Sequence, residues 1–407
     1  MRWALLACLW AAACADDTRS AGGDGTYEAA VPAVGDRLAV LGSDYKSSAL
    51  SLLAADSQQR VGAALWHSGS LVSAATTALS GDVALGQTAM SDGRIIVIDR
   101  GSAVVSFWDP LTRAIQQIPV STGFYSNPQD AVPIDAHKMY VVRMKRNVQP
   151  TADPGDFDEG DDVLIVDPSD GKLLGRIDLS PWATLPGYVA AGSRAVRIAD
   201  RVWIPLQSLA ADFSHQGATR FLAIETKKDT VIQIVDAPSV KNCIEMAWLP
   251  DLQRLVAVCP GAYVDRAAQG DHAGIVVLAP GDVTSTTTLA FAAKDFGGAT
   301  TLGRDVACLP GGHCLVATPG EPDSGTHDRI WRFELTGGAP VQIGEGSGPF
   351  AVSGMTAIAA SHRILVGDRT NAAGDVRVFE LSATGTVEKP ATTSNPGGLG
   401  AIDFGVF

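Results

Sequence analysis

The chain has 407 residues, of which 46% are hydrophobic, and it contains 43 glycines and 22 prolines. This composition is typical of a well-cored, turn-rich globular protein and excludes a disordered or fibrous chain. The formal net charge is -13 at pH 7, and because such an acidic surface repels phosphate backbones, we expect no nucleic-acid partner.

The N-terminal segment MRWALLACLWAAAC has the form of a secretory signal. One positive charge precedes an apolar run of about eleven residues, which is too short for a spanning helix because that needs roughly 20 residues. The end of the segment, AAAC, resembles a bacterial lipobox. We therefore predict an exported protein, in the periplasm or at the cell surface, that is anchored to a membrane through lipidated Cys14. Ordinary signal cleavage a few residues later is the alternative.

Residues 15–35 (ADDTRSAGGDGTYEAAVPAVG) lack hydrophobic periodicity and are rich in Ala, Gly and Asp. This composition is typical of a flexible spacer. The sequence therefore divides into a signal segment at 1–14, a linker at 15–35 and a folded domain at 36–407.

One hairpin pattern recurs along the folded domain. In GDDVLIVDPSDGKLLGRIDLS (160–180), a β-branched run, a Pro-Ser-Asp-Gly turn and a second apolar strand follow one another. Seven such hairpins are found, at 50–66, 104–120, 160–180, 221–237, 274–291, 329–343 and 376–391. Their turns are 46 to 58 residues apart, with no helical pattern between them, which is the signature of β-propeller blades.

A second, inner hairpin precedes six of the seven copies, giving four strands a blade. The first blade is the exception, because residues 36–42 form a second strand with nothing before it, while the C-terminal residues 397–407 resemble an inner strand with no blade after it. We therefore predict an all-β fold, a seven-bladed β-propeller of four-stranded antiparallel blades closed by the C-terminal strand, which joins the first blade and removes the exposed sheet edges.

Two blades carry a closer motif, seen as IIVIDRG followed by VSFWDPLTRAIQQIPV, and as MYVVRMKRN followed by VLIVDPSDGKLLGRIDLS. These segments resemble the repeat aYVxn…vxVIDtatgkvvatIpvg of the YVTN-type, or surface-layer-like, bacterial propellers. The motif match is confined to the second and third blades, while the resemblance in architecture covers about residues 36–407. It implies the fold and leaves the function open, because one fold hosts many functions.

Four cysteines remain in the exported domain, and three pairings are possible. Cys243 and Cys259 are placed symmetrically about one predicted turn, and Cys308 and Cys314 about another. Each pair thus suits a cross-strand disulfide of an oxidising compartment. We predict these two disulfides.

Polar residues at the starts of the inner strands are expected to face the central channel. Gluconolactonase-like propellers hold a divalent cation with Glu, Asn and Asp in this region, which a set such as Asn242, Glu245 and Asp130 could imitate. The alternative is that these residues bind strand ends and channel water. The candidates are Asn127, Asp130, Arg194, Asn242, Glu245, Arg304 and Asp305.

Long polar connections between the second and third strands of blades three to six share one face, and three of them contain His215, His272 and His327. We expect these histidines to form hydrogen bonds within the loops or to contact a ligand. A three-histidine metal site is the alternative, although neighbouring loops start about 10 Å apart at ~4.8 Å per strand spacing, against metal–nitrogen bonds of roughly 2.1 Å.

The densest acidic run lies in the blade-three connection. Calcium binds six to eight oxygens, so Asp156, Asp158 and Asp161 are candidate calcium ligands, with a solvated acidic loop as the alternative. No other cofactor follows from the sequence.

The sequence carries no nucleophile, zinc or nucleotide motif of known spacing. We therefore expect a non-catalytic binding or scaffold propeller of the cell envelope, whose partner is an envelope protein or a small ligand met at the loops of blades three to six. The alternative is a lactonase-like hydrolase that depends on a divalent cation in the channel.

Overall fold

The computed structural model describes residues 25–56, 58–70, 75–262, 269–281, 286–369, 376–387, 392–394, 396–397 and 399–407. The predicted signal segment, with Cys14, lies outside the described residues. The described strands form seven four-stranded antiparallel sheets and one two-stranded ribbon. This confirms the predicted seven-bladed propeller.

Each blade runs from an inner strand at the central channel to an outer strand at the rim. From inner to outer, blade one is Ala401–Val406, Arg37–Ser43, Ser48–Ala54 and Arg60–His67; blade two is Val83–Leu85, Ile95–Asp99, Val104–Trp108 and Ile115–Pro119; blade three is Pro128–Asp135, Lys138–Arg146, Gly160–Val166 and Leu173–Asp178; and blade four is Val196–Ile198, Arg201–Leu206, Thr219–Glu225 and Thr230–Ala237.

The other three blades follow the same order. Blade five is Glu245–Leu249, Arg254–Cys259, Gly274–Leu278 and Thr287–Ala292; blade six is Val306–Leu309, His313–Thr318, Arg329–Glu334 and Val341–Glu345; and blade seven is Val352–Ile358, Arg363–Asp368, Val376–Glu380 and Thr392–Ser394. The ribbon pairs Tyr188–Val189 with Leu209–Ala210. Short 3-10 helices lie in the connections, at Pro154–Asp156, Ser180–Trp182, Gln269–His272, Ala293–Asp295, Pro322–Ser324 and Ala359–Ser361.

The C-terminal strand closes the ring, as the sequence predicts. Ala401–Val406 pairs antiparallel with Arg37–Ser43, and beyond the strand Phe407 exchanges two backbone hydrogen bonds with Arg37, at 2.8 and 3.1 Å. Phe404 is 5% exposed and Phe407 is 1% exposed. The two ends of the chain are thus joined within one sheet.

The hydrophobic core is divided among the seven junctions between neighbouring blades. Each of seven clusters of buried residues takes side chains from two adjacent sheets. Phe404 packs in the junction of blades seven and one, whereas Phe407 packs in the junction of blades one and two. The strand that closes the ring therefore contributes to two cores at once.

The hairpin of blade three shows why the repeated sequence folds in this way. Every residue of Gly160–Val166 is buried, as expected for an apolar strand between two neighbouring sheets. The turn follows because the Asp167 carboxylate accepts hydrogen bonds from the Ser169 amide and hydroxyl, at 2.8 and 2.6 Å. Gly171 then takes a φ of 79°, which costs a glycine little.

One predicted boundary is wrong. The outer strand of blade seven is Thr392–Ser394, beyond the predicted end at residue 391. An extra small turn causes the shift, because Ser382 and Thr386 are joined by a backbone hydrogen bond and Leu381 bridges Val387. The apolar run that ends at 387 belongs to this turn and not to the fourth strand.

The described part of the predicted linker, residues 25–35, contacts the first two blades. Tyr27 forms a bridge with Gly62 and donates its hydroxyl to the backbone oxygen of Pro110. The side chain of Arg113 lies over the Tyr27 ring, 4.6 Å from its centroid. These contacts attach the segment to the outside of the ring.

Both predicted disulfides are confirmed. Cys243–Cys259 closes the inner hairpin of blade five, and Cys308–Cys314 closes that of blade six. Cys308 and Cys314 are direct cross-strand partners. In the chain-entropy description, a disulfide that joins cysteines 6 or 16 residues apart stabilises the fold by about 2–3 kcal/mol.

Among the described residues, no helix is long and apolar enough to cross a membrane.

Candidate functional site

Two kinds of connection share one face of the ring: those between the second and third strands of a blade, and those that lead into the next inner strand. Arg143 joins them in blade three. Its guanidinium donates to the Thr122 hydroxyl, at 2.6 Å, in the connection from blade two, and to the backbone oxygen of Phe157, also at 2.6 Å, in the blade-three connection. We call this side the loop face and the opposite side the turn face.

Arg143 is fixed by a buried ion pair. Its side chain and that of Asp162 are both 0% exposed, and two hydrogen bonds of 2.7 and 2.6 Å join them. A buried charge needs such a partner because desolvation is costly. The base of the blade-three connection is therefore held rigidly on the sheet.

Three channel carboxylates tie the inner strand of one blade to that of the next. Asp130 of blade three accepts the amide of Ala195, at 2.8 Å, in blade four. Asp305 of blade six accepts an amide of blade seven at 3.1 Å, and Asp403 of blade one accepts an amide of blade two at 2.8 Å. These residues stabilise blade junctions, which is the alternative that the sequence left open for the channel candidates.

Arg194 crosses the channel. Its guanidinium lies 3.2 Å from the Glu245 carboxylate of blade five and 2.8 Å from the Asp403 carboxylate of blade one, and it donates to the backbone oxygen of Leu85 in blade two at 2.6 Å. Both carboxylates are at most 9% exposed as whole residues. One cation of blade four thus links three other blades.

The channel shifts the pKa values of its ionisable groups. Burial raises the pKa of Glu245 well above its usual range; Arg194 opposes the rise, and the negative charges of Asp305 and Asp403 add to it. Burial would lower the pKa of Arg194, but the nearby carboxylates raise it well above its usual value. Burial also raises the pKa values of Asp130 and Asp305. Burial therefore favours the protonated form of these three acids relative to an exposed carboxyl group.

The channel residues do not fit a divalent cation. The Arg194 guanidinium already lies against both Glu245 and Asp403, and Asp130 and Asp305 accept backbone amides. Within the described part of the chain, no group of three or more His, Cys, Asp or Glu residues is arranged to hold a metal ion. The positive charge that balances this acidic channel is a guanidinium.

The remaining channel candidate, Arg304, is exposed. Its positive charge interacts electrostatically with Arg100 and Asp305.

The three loop histidines lie on separate connections of blades four, five and six. His215 and His327 are exposed, and His272 is half-buried. The His215 Nδ1 atom lies 2.8 Å from the Ser214 hydroxyl. No described contact joins two of these histidines.

The acidic run of blade three separates into two parts. Thr151 donates to both Asp156 and Asp158. Its hydroxyl donates to the Asp156 carboxylate at 2.7 Å, and its backbone amide donates to the Asp158 carboxylate at 2.9 Å. Asp161 is buried; it pairs with Arg146 at 3.0 Å and accepts two backbone amides of blade four. Asp161 thus secures a blade junction, while the other two acids line a cavity.

Two cavities open beside blade three, the first at the connection from blade two and the second at the connection to blade four. The first has a volume of about 590 Å³, and the second about 420 Å³. Both fall in the range of roughly 300–1,000 Å³ found for small-ligand sites. The first is lined by Thr122, Gly123, Asn147, Gln149, Thr151, Gly155, Asp156, Asp158 and Leu173. The second is lined by Arg146, Ser180, Pro181, Ala183, Thr184, Leu185, Pro186, Gly187 and Tyr188.

Asn127 and Asn242 occupy similar left-handed turns, three residues before the channel residues Asp130 and Glu245. Their φ angles are 51° and 60°. The Asn127 side chain is bound, since it accepts from the Gln129 amide at 3.0 Å. The Asn242 side chain is fully buried, and neither of its amide atoms has a hydrogen-bond partner among the described residues.

We expect Asn242→Gly to preserve or raise stability by up to about 1 kcal/mol, because it removes an unsatisfied buried amide at a φ that suits glycine. Asn127→Gly is the matched control, and it should cost about 0.5–1.5 kcal/mol because it loses a made hydrogen bond. Urea denaturation measures both. An equal loss in the two variants would show that Asn242 has a stabilising role like that of Asn127.

Sequence reasoning missed Asp403. The signal was available, because the tail is predicted as the inner strand of blade one and its aspartate then matches Asp130 and Asp305. It also missed Tyr125, which no motif marks, and assigned no binding role to Lys145, which lies in the segment MYVVRMKRN.

The fold is shared with known proteins, although no protein-family model and no curated protein matches this sequence. A candidate 6-phosphogluconolactonase of Bacteroides fragilis is 12% identical, with a TM-score of 0.57 over 92% of this chain and 99% of that one. The periplasmic gluconolactonase of Pseudomonas aeruginosa is 13% identical, with a TM-score of 0.53 over 90% and 98%. A hypothetical selenium-binding protein of Sulfolobus tokodaii is 10% identical, with a TM-score of 0.57 over 89% and 91%. At these identities the likeness is one of fold.

Proposed function

We propose that this chain is an exported, non-catalytic binding propeller that meets its ligand on the loop face over blades three and four. The observation that carries the proposal is that two cavities, of about 590 and 420 Å³, open on the two sides of blade three, the smaller one at the connection to blade four. Loops on a rigid scaffold are where binding groups concentrate, because they vary without cost to the core.

The rigidity of this face supports the proposal. Arg143 fixes the blade-three connection through its buried pair with Asp162, and Asp161 fixes the junction to blade four. A preformed site loses less conformational entropy when it binds.

The predicted address supports a role in the cell envelope. Two disulfides suit an oxidising compartment, and lipidation at Cys14 would hold the propeller at a membrane. The turn face has short connections, such as Asp167–Lys172, which offer little shape for recognition.

The test fills the larger cavity without disturbing the core. Gln149 is exposed and lines that cavity, so we expect Gln149→Trp to abolish capture of a ligand or partner from envelope extract. Leu111→Trp is the matched control, because Leu111 is 63% exposed in a turn of the opposite face. Bound molecules are identified by mass spectrometry. Capture that is retained in Gln149→Trp but lost in Leu111→Trp would place the binding site on the turn face and contradict the proposal.

A channel hydrolase is the second candidate, and one observation favours it. Glu245 is a buried acid beside Arg194, with a raised pKa, as in many general acids. A lactone and ester panel, run with and without divalent cations, separates the two functions. Turnover by the wild type that disappears in Glu245→Gln would overturn the non-catalytic proposal.

A further inference from the structure

Lys145 lies between two exposed aromatic rings on the loop face. Its ammonium is 4.8 Å from the ring centroid of Tyr125 and 5.7 Å from that of Phe213. The two rings are 46% and 47% exposed, and they come from the connection into blade three and the long connection of blade four. Both rings thus flank one cation and keep surface free for a ligand.

The Lys145 charge has no counter-charge in the described structure. The other basic residues that project from this region are paired: Arg143 with Asp162, Arg146 with Asp161, and Arg194 with Glu245 and Asp403. For Lys145 the described contacts are the two ring faces, worth about 0.5–1 kcal/mol each at exposed sites. The Lys145 ammonium is therefore available to an anionic group of a ligand.

The larger cavity adjoins this cation along both chain segments. Lys145 lies two residues before the lining residue Asn147, and Tyr125 lies two residues after the lining residue Gly123. Amides and hydroxyls form much of the remaining wall, together with the carboxylates of Asp156 and Asp158.

These groups define a ligand with two different parts. Carboxylates accept hydrogen bonds from hydroxyl groups and repel anions, so the part in the cavity should be neutral and rich in hydroxyls. The anionic part then lies outside the cavity at Lys145, where Tyr125 and Phe213 can pack against the apolar faces of sugar rings.

We propose that the ligand of the loop face is an acidic saccharide whose carboxylate binds Lys145, with its sugar rings on Tyr125 and Phe213 and its hydroxyls in the larger cavity. This rests on the proposed function, and it names the class of ligand. Burial raises the pKa of Tyr125, and the charge of Asp82 adds to the rise while Arg100 opposes it, so its hydroxyl remains a hydrogen-bond donor at neutral pH.

The test compares glucuronosyl-cellobiose, a trimer with one carboxylate on its terminal ring and two neutral rings, with its methyl ester, which has the same ring skeleton without the charge. Calorimetry of the wild type should show binding of the acidic trimer at least about tenfold tighter than that of the ester. Lys145→Met should weaken the acidic trimer by about the same factor and leave the ester unchanged. Phe213→Ala should weaken both trimers alike, because it removes a platform and no charge.

Lys227→Met is the matched control, since it removes the same charge from an exposed turn of blade four that lines neither cavity. Unchanged melting temperatures show that the variants are folded. The inference is overturned if the wild type binds neither trimer, if it prefers the ester, or if Lys227→Met weakens the acidic trimer as much as Lys145→Met. None of these outcomes tests the proposed function, which is tested separately by comparing capture from envelope extract by the wild type and by Gln149→Trp.

Discussion

Deletion of Gly397–Phe407 is expected to leave no cooperatively folded ring. The deletion exposes the backbone edge of Arg37–Ser43 and removes Phe404 and Phe407 from the cores on either side of blade one. Burial of a phenylalanine side chain stabilises by about 1.5–3 kcal/mol. Two such losses, together with the lost strand pairing, approach the roughly 5–15 kcal/mol by which a domain is stable. Thermal denaturation followed by circular dichroism measures the effect.

Deletion of residues 15–24, which belong to the predicted linker, is the matched control and should leave the melting temperature unchanged. A synthetic peptide of residues 397–407 should restore the melting transition of the shortened chain, because it supplies the missing strand. A wild-type melting temperature after the C-terminal deletion would contradict closure of the ring by this strand.

The fold could be predicted from the sequence because its information is local. The sequence of a hairpin such as 160–180 alone specifies its turn, the hydrophobic pattern of its strands and their lengths. The seven copies of this hairpin then give the number of blades. The closure by residues 397–407 followed from counting strands. The shifted outer strand of blade seven marks the limit, since an extra turn after Leu381 uses residues that read as strand.

The site was harder to predict because ring geometry decides which blade ends meet. Arg194 and Asp403 are 209 residues apart in sequence, and neither lies in a motif. Tyr125 and Phe213 flank Lys145 only because the connections of blades three and four share one face. Asp161 looks like part of an acidic loop in the sequence, yet the register of its strand turns it toward amides of blade four.

Replacement of Arg194 by methionine is expected to cost about 3–5 kcal/mol at neutral pH, the usual loss when one partner of a buried ion pair is removed. Methionine keeps much of the stem volume, so the loss reports mainly on charge. Glu245 and Asp403 would remain in the channel without their common cation. Arg254→Met is the matched control; Arg254 is exposed and donates only to backbone oxygens at 3.4 and 3.0 Å, so a change within about 0.5 kcal/mol is expected.

The deficit of Arg194→Met is expected to grow with pH. The folded-state pKa of Glu245 is raised, so its contribution to stability is fully present below the ordinary carboxyl pKa of about 4.3 and is lost as the pH rises through the raised value. Arg194 lowers that pKa, and its removal therefore raises the pKa further. Wild type and variant thus diverge above the wild-type pKa of Glu245, and urea denaturation at pH 4 and pH 8 should show the larger deficit at pH 8.

Glu245→Gln in the Arg194→Met background provides the decisive comparison. The amide removes one of the two unpaired channel charges, so the double variant should recover part of the stability at pH 8 and little at pH 4, where the carboxyl is already protonated. Equal deficits of Arg194→Met at the two pH values, or no recovery in the double variant, would mean that the guanidinium acts through Asp403, Leu85 or packing and not through its pair with Glu245. Recovery at pH 8 alone would assign the coupling of blades four and five to that ion pair.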